Sequence, residues 1–142
     1  MRTPDNKPII AVSNGDPAGI GPEVVLKALA DPELRARCAP VIIGSPELYA
    51  RDAPLSGAKL LIRSLQTLQE AEGRLGIVEI LPFDKLDLSL CPIGNVSAEG
   101  GRYSGFSIAR AIGLTMAGEA HAAVVAQQQK GHEGRRARTY GF

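Results

Sequence analysis

Apolar residues along the chain form short continuous runs, and amphipathic segments separate these runs. A short continuous apolar run is typical of a strand that is buried on both faces of a parallel sheet. Amphipathic segments between such strands are typical of the helices that cover a sheet. We therefore predict an α/β fold with a doubly wound, mostly parallel sheet. The predicted strands are residues 8–12, 40–44, 60–63, 77–81 and 122–126.

The segments between these strands predict several helices. Residues 104–119 show the clearest helical spacing, and we expect this helix to end near Gly118. Residues 23–30 predict another helix, which ends at Asp31-Pro32 or is followed there by a short second helix. Residues 46–51 predict a further helix that Ser45 caps. The side chains expected to face the sheet from residues 23–30 are Val24, Val25, Leu26 and Leu29.

Three remaining segments have no clear pattern. Residues 65–73 have mixed helical spacing, and residues 94–103 resemble a loop. Prolines and aspartates interrupt residues 82–92, which predicts an irregular connection. Alternate leucines in that connection leave a short edge strand as an alternative, and these leucines are Leu86, Leu88 and Leu90.

A glycine-rich segment, residues 14–23, lies between the first strand and the first helix, where open α/β sheets bind ligands. Its glycines permit positive φ and a close approach of the backbone to a ligand. Pro22 fits the first helical position, where a missing N–H is tolerated. The segment can thus present free amides to an anion. It can equally be a plain strand-to-helix turn, and the spacing alone does not decide between the two.

Composition narrows the classes of partner. The chain has 142 residues, 44% hydrophobic, which suits a single domain that buries a core. Sixteen basic and 15 acidic side chains give a net charge of +1, which argues against nucleic acid and membrane surfaces as partners but allows small anionic substrates. Cys38 and Cys91 have no metal-ligand spacing and are expected to be core thiols in a reducing compartment. No apolar run reaches the roughly 18 residues of a membrane helix, so we expect a cytoplasmic protein.

The end of the chain differs in composition from the rest. Residues 127–142 contain few apolar side chains, a glutamine run and four basic groups. This composition predicts disorder, and a solvated tail is favoured over a basic anchor for phosphate or RNA. We therefore divide the chain into an α/β portion, residues 1–126, and a tail, residues 127–142.

Residues 15–23 read Gly-Asp-Pro-Ala-Gly-Ile-Gly-Pro-Glu, and residues 94–101 read Gly-Asn-Val-Ser-Ala-Glu-Gly-Gly. Together, these two motifs resemble the 4-hydroxythreonine-4-phosphate dehydrogenase family of pyridoxal phosphate biosynthesis. The first also resembles the loop of isopropylmalate and isocitrate dehydrogenases, so the expected fold is part of that dehydrogenase fold. The resemblance extends from residue 7 to about residue 126. The family also includes relatives that oxidise threonate or erythronate phosphates.

The resemblance implies an activity and a site. It implies NAD(P)-dependent oxidation of 4-phosphohydroxy-L-threonine to a 3-keto acid, which loses carbon dioxide to give 3-amino-2-oxopropyl phosphate. It also implies a homodimer and a divalent metal, either zinc, magnesium or cobalt, held by three histidines of which one comes from the partner subunit. No metal ligand and no catalytic residue is assigned in this chain. The residues that the resemblance places at the cofactor are Asp16, Pro17, Gly19, Gly21 and Glu23.

The chain departs from the family pattern after the last predicted strand. The family continues with threonine, a small residue, proline and a lysine, and then with a Gly-His-Thr-Glu substrate motif. Here residues 126–130 read Ala-Gln-Gln-Gln-Lys, and residues 131–133 read Gly-His-Glu, too early and without the threonine. We therefore expect a shortened chain, such as a frameshift produces, that is inactive by itself. A non-catalytic phosphate-binding module is the alternative.

Individual side chains in the predicted site also have simpler explanations. Glu23 in the first turn of a helix is what the helix dipole favours without any chemistry. Asp16 is as well suited to a turn as to acid–base catalysis. His121, between the last helix and the last strand, is expected to be a surface or capping histidine and not a metal ligand.

Overall fold

The computed structural model describes residues 2–126. Its five strands form one sheet in which all neighbours are parallel, and this confirms the predicted α/β fold. The predicted tail at residues 127–142 lies outside the described residues. The strands are β1 (Ile9–Ser13), β2 (Ala39–Ile43), β3 (Leu61–Ser64), β4 (Ile77–Leu81) and β5 (Ala122–Val124). Their order across the sheet is β3-β4-β2-β1-β5.

Four α-helices connect these strands. Asp31 caps the second by accepting a hydrogen bond from the Glu33 N–H at 2.9 Å, so a short second helix does form after the first. Ser45 caps the third as predicted, accepting from the Leu48 N–H at 3.1 Å. The helices are α1 (Gly21–Leu29), α2 (Pro32–Arg37), α3 (Pro46–Asp52) and α4 (Ala98–Met116).

The sheet has a separate apolar core on each face, because strand side chains alternate between the faces. On one face, Val12 and Ile42 pack with Leu26 of α1 and Leu48 of α3. On the other, Ala11, Val41 and Ile43 pack with Ala111 and Leu114 of α4 and with the chain between β3 and β4. The sheet therefore separates α1 and α3 from most of α4.

The structure corrects the predicted start of the long helix. Helix α4 begins at Ala98, so residues 98–103 are helical although the sequence predicted a loop. Ser97 caps the helix by accepting from the Gly100 N–H at 3.0 Å. The low helix propensity of the two consecutive glycines at positions 100 and 101 concealed this cap signal.

The structure also decides two segments that the sequence left open, and it corrects the predictions for Val24 and Cys38. Residues 88–90 form a turn of 3₁₀-helix that Asp87 caps, and not an edge strand. In residues 65–73 only Leu68–Glu70 is helical, again as 3₁₀. Val24 does not face the sheet and is 47% exposed, because α1 directs Val25, Leu26 and Leu29 inward instead. Cys38 is only half-buried, whereas Cys91 is buried as predicted.

No helix within residues 2–126 is long and apolar enough to cross a membrane.

Candidate functional site

The glycine-rich loop leaves the carboxyl end of β1 and leads directly into α1, as predicted. Gly15 has φ +78°, a conformation that side chains with a Cβ rarely adopt. A Cβ there would also lie 3.3 Å from the Gly21 Cα and 3.4 Å from the Ala126 Cβ. Gly15 thus lets the start of α1 and the end of the last strand approach each other at this edge of the sheet.

Asp16 folds the middle of the loop. Its Oδ1 accepts the Ala18 N–H at 2.9 Å, and its carbonyl accepts the Gly19 N–H at 3.1 Å. This is the Asx-turn geometry that short acidic side chains adopt. Asp16 therefore forms the turn in the structure. Its other carboxylate oxygen, Oδ2, accepts no hydrogen bond within residues 2–126.

The two motifs meet in space. The Gly94 N–H donates to the Ala18 carbonyl at 2.7 Å. A Cβ on Gly100, in the first turn of α4, would lie 3.5 Å from the Asp16 Oδ1 and 3.7 Å from the Pro17 Cδ. Residues 94–101 and residues 15–23 thus form one continuous surface at the carboxyl edge of the sheet.

Asn14 is fully buried and fixes the beginning of the loop. Its Oδ1 accepts the Ser45 N–H at 3.0 Å, and its Nδ2 donates to the Gly15 carbonyl at 3.3 Å. Its own N–H donates to the Ser107 Oγ at 2.7 Å, and its carbonyl accepts the Tyr49 hydroxyl at 2.7 Å. Asn14 therefore connects the loop to the start of α3 on one face and to α4 on the other.

Replacing Ser107 with alanine should lower the free energy of unfolding by about 2–3 kcal/mol, because two buried backbone groups would lose their partner. These groups are the N–H of Asn14 and the carbonyl of Ile43, to which the hydroxyl donates. Ser104→Ala is the matched control and should cost about 1 kcal/mol or less. Its hydroxyl donates only to the Gly15 carbonyl, which keeps the Asn14 amide as a donor. Urea denaturation of both variants measures the difference, and equal losses would contradict this role of Ser107.

Arg51 of α3 connects the loop to the segment that precedes α4. Its Nη1 donates to the Cys91 carbonyl at 3.0 Å, and its Nη2 donates to the Pro17 carbonyl. Its Nε lies 2.8 Å from the Asp52 Oδ1, which pairs with its charge. The guanidinium is thus used to hold both sides of the candidate site in place.

The other sequence-predicted residues are placed as follows. Glu23 lies in the first turn of α1 and forms an ion pair with Lys27 at 2.9 Å. Pro22 occupies the first turn of α1, and no side chain caps that helix. His121 accepts the Ile9 N–H through Nδ1 at 3.1 Å, so it caps the start of β1 as predicted.

A concavity of about 570 Å³ adjoins the same edge of the sheet. It is lined by Phe83 and by charged side chains of both signs, including Glu47, Asp84 and Lys85. Phe83 stacks on the buried Tyr103 with ring centroids 4.8 Å apart. This opening offers space for a polar ligand at the carboxyl edge of the sheet.

Several ionisable groups around the site have shifted pKa values. Burial raises the pKa of Tyr49 and of Tyr103, so both hydroxyls stay protonated and can donate hydrogen bonds. Hydrogen bonds from Arg102 and from the Lys85 N–H lower the pKa of Asp84. Asp84 thereby remains an anion that links the connection after β4 to α4 through a 2.9 Å contact with Arg102.

Residues 2–126 contain no cluster of three or more histidine, cysteine or acidic side chains that could hold a metal ion. The described side chains therefore do not fit the metal that the resemblance implies.

The contacts that fix the loop were not predicted from the sequence, and they involve Asn14, Tyr49, Arg51, Ser104 and Ser107. Only Asn14 carried a usable signal, because a polar residue directly after a buried strand often belongs to a site. The others lie in predicted helices, where single polar residues are common.

A parallel sheet with a glycine-rich loop at its carboxyl edge is typical of α/β proteins that bind a ligand at that edge. Comparison with curated proteins narrows this class. The chain is 36% identical over 114 residues to a Symbiobacterium thermophilum protein named "Putative D-threonate 4-phosphate dehydrogenase", covering 80% of this chain and 34% of the relative. A Clostridium botulinum protein of the same name is 30% identical over 115 residues, 81% of this chain and 34% of the relative. No family model matches the chain.

Solved structures that resemble this chain are also named as dehydrogenases of a four-carbon phosphate. A 4-hydroxythreonine-4-phosphate dehydrogenase from Burkholderia phymatum superposes with a TM-score of 0.81 at 31% identity, over 87% of this chain and 37% of the other. The enzyme of that name from Klebsiella pneumoniae gives a TM-score of 0.79 at 29% identity, over 87% and 38%. The chain is thus similar to part of the proteins that bear these dehydrogenase names, and it spans about a third of the length of the relatives it matches.

Proposed function

We propose that this chain supplies one wall of a dehydrogenase site that oxidises the secondary alcohol of a phosphorylated four-carbon acid. The observation that carries the proposal is the meeting of the two motifs at the carboxyl edge of the sheet, through the contacts of residues 94 and 100 with the loop. The names of the relatives supply the chemistry, since they are dehydrogenases of four-carbon phosphates.

The proposed reaction removes a C–H hydrogen with its electron pair and an O–H proton from the alcohol, which leaves a ketone. When bound, NAD or NADP supplies the acceptor for the electron pair. With 4-phosphohydroxy-L-threonine the product is a 3-keto acid, which then loses carbon dioxide to form 3-amino-2-oxopropyl phosphate. D-Threonate 4-phosphate, or its erythronate isomer, is the second candidate substrate, because the curated relatives bear the threonate name.

We assign the cofactor side of this wall to Asp16, Pro17, Gly19, Gly21 and Glu23. The Asp16 carboxylate keeps one oxygen in the turn and can offer the other to a hydroxyl group of the cofactor. Gly19 and Gly21 allow the backbone to approach the ligand closely. The carboxylates of Asp16 and Glu23 favour a hydroxyl ligand over a bare phosphate at this position, because like charges repel.

We propose that the full-length protein is a homodimer and that its active site contains a divalent metal. Since residues 2–126 present no metal cluster, we assign no step that needs the metal to this part of the chain. We therefore expect the chain by itself to bind ligand without turnover. An assay that measures the formation of reduced nicotinamide tests this expectation. It contains the chain, one of the candidate substrates, NAD or NADP, and zinc, magnesium or cobalt. Turnover comparable with that of the full-length relatives would contradict it.

Asp16→Asn tests the assigned cofactor site. The amide oxygen can still accept the Ala18 N–H, so the melting temperature should change little, while the loss of charge should weaken NAD binding about tenfold. Titration calorimetry measures the affinity. Asp31→Asn is the matched control, since Asp31 also accepts an N–H two residues later, at 2.9 Å, on the distant helix α2. Unchanged affinity in Asp16→Asn would limit Asp16 to its turn, and no binding by the unaltered chain would refute the site.

A phosphate-binding module without catalysis is the second candidate. The observation in its favour is that no side chain caps α1, so the helix start is open to an anion. Calorimetry with inorganic phosphate separates the two candidates. Saturable phosphate binding with no nicotinamide binding would favour the module, and the reverse would favour the dehydrogenase wall.

A further inference from the structure

Asp52, the last residue of α3, is a buried carboxylate that the proposed chemistry does not use. It is only 3% exposed. Its Oδ1 accepts a hydrogen bond from the Arg51 Nε at 2.8 Å, and its Oδ2 lies 3.5 Å from the Arg51 Nη2. A guanidinium is planar and presents its N–H donors at fixed angles. By holding one edge of the guanidinium, Asp52 therefore fixes the direction in which the other edge points.

The other edge of the Arg51 guanidinium donates to both sides of the candidate site. Nη1 donates to the carbonyl of Cys91, three positions before residues 94–101, and Nη2 donates to the carbonyl of Pro17, within residues 15–23. Together with Asp52, these acceptors take four of the five N–H donors of the guanidinium. Because Asp52 also balances its charge, Arg51 is not free to bind a phosphate and instead spaces the two motifs.

Cys91 transmits this spacing to the beginning of α4. Cys91 is fully buried, and its Sγ lies 3.6 Å from the Oγ of Ser97, which accepts the Gly100 N–H at 3.0 Å. A Cβ on Gly100 would lie 3.5 Å from the Asp16 Oδ1. A shift of the Cys91 carbonyl would therefore move the first turn of α4 relative to the Asp16 carboxylate.

We propose that Arg51, oriented by Asp52, is a positioning residue of the candidate site. It sets the spacing of the two motifs and thereby the affinity for the nicotinamide cofactor, without touching the cofactor. This inference rests on the proposed function, which supplies the ligand. Two backbone carbonyls in different segments require two donors at a fixed separation, which a guanidinium provides and a single ammonium does not. The role therefore separates arginine from lysine, although both carry the same charge.

Arg51→Lys tests the proposal, because it keeps a positive charge beside the buried Asp52 and removes the second donor group. In the 142-residue chain, this variant should unfold cooperatively and bind NAD about tenfold more weakly, as measured by titration calorimetry. Arg63→Lys is the matched control. Arg63 also pairs with a buried carboxylate, Glu79 at 3.0 Å, but its hydrogen bonds reach neither motif, so its replacement should leave the NAD affinity unchanged. Equal NAD affinity in Arg51→Lys and the unaltered chain would overturn the proposal.

Thiol labelling of Cys91 tests the spacing without any ligand. In a Cys38→Ser background, Cys91 is the one cysteine left in the chain, and it is fully buried. Its labelling should be about tenfold faster in Arg51→Lys, because the segment that contains it opens more often, and unchanged in Arg63→Lys. Equal labelling rates would overturn the proposal. If the unaltered chain binds no NAD, the proposed function fails, and the labelling rates then decide by themselves whether Arg51 sets the spacing.

Discussion

Gly44→Ala should lower the free energy of unfolding by about 4 kcal/mol, which is among the largest effects expected of a single methyl group. A Cβ at this position would lie 1.9 Å from the Asn14 Oδ1 and 2.7 Å from its Cγ. The amide cannot move away cheaply, because it is fully buried and accepts the Ser45 N–H. Relief of the overlap therefore breaks a buried hydrogen bond as well as the packing. Urea denaturation, followed by circular dichroism, measures the loss.

The same substitution elsewhere in the chain is the control for Gly44→Ala. Gly105 lies in the middle of α4, where a Cβ would meet nothing within 4 Å, so Gly105→Ala should stabilise the protein by roughly 0.5–1 kcal/mol. In an Asn14→Ala background, Gly44→Ala should cost less than it does alone, because the amide that it overlaps is gone. Additive effects in that pair would contradict the proposed overlap.

Glu79→Ala should cost about 3–5 kcal/mol, because it removes a buried carboxylate that accepts several hydrogen bonds and that lies near a buried guanidinium. Glu79 is 1% exposed, and its carboxylate accepts from Arg63 at 3.0 Å and from the N–H groups of Glu72 and Gly73. It also provides the nearby negative charge for Arg35, whose pKa burial lowers. Without Glu79, the buried guanidinium has no opposite charge beside it. Chemical denaturation of the variant and the unaltered chain measures this cost.

Two further variants separate burial from charge at Glu79. Glu72→Ala is the surface control, and it should cost about 0.5 kcal/mol although Glu72 forms ion pairs with Arg63 and Arg74. Arg35→Met added to Glu79→Ala should recover part of the stability, because it removes the unpaired buried charge. The Nε and Nη1 of Arg35 have no hydrogen-bond partner among the described residues, which makes this recovery larger. A double variant less stable than Glu79→Ala would show that Arg35 does not depend on Glu79.

The sequence was sufficient to predict β1, β2 and β4, because these strands are short, largely apolar runs that the parallel sheet buries on both faces. It also located α3, since Ser45 and Pro46 are strong local signals for a helix start. It failed at the beginning of α4, where the propensity of Gly100 and Gly101 opposes the Ser97 cap. When a capping residue favours a helix and nearby glycines oppose it, the tertiary contacts of α4 determine whether the helix forms. These contacts cannot be read from the local sequence.

The candidate site also has a part that the sequence predicted and a part that it did not. The glycine spacing and the family resemblance located the loop in the sequence. The structure then places the second motif, residues 94–101, in contact with this loop. The polar contacts of Asn14 could not be predicted, because its partners Ser45 and Ser107 are 31 and 93 positions away in the chain. The role of a carboxylate, in a turn or in an ion pair, also depends on the side chains around it. Glu23, for example, forms an ion pair with Lys27.

The hydrogen bonds of Asn14 have a consequence for how related sequences are interpreted. Because the beginning of the loop holds α3 and α4 to the sheet, selection for stability alone is enough to preserve it. A descendant that has lost its chemistry would still keep these residues for as long as it needs to fold. The presence of the loop in a sequence is therefore a record of ancestry, and activity has to be judged from groups that folding does not require.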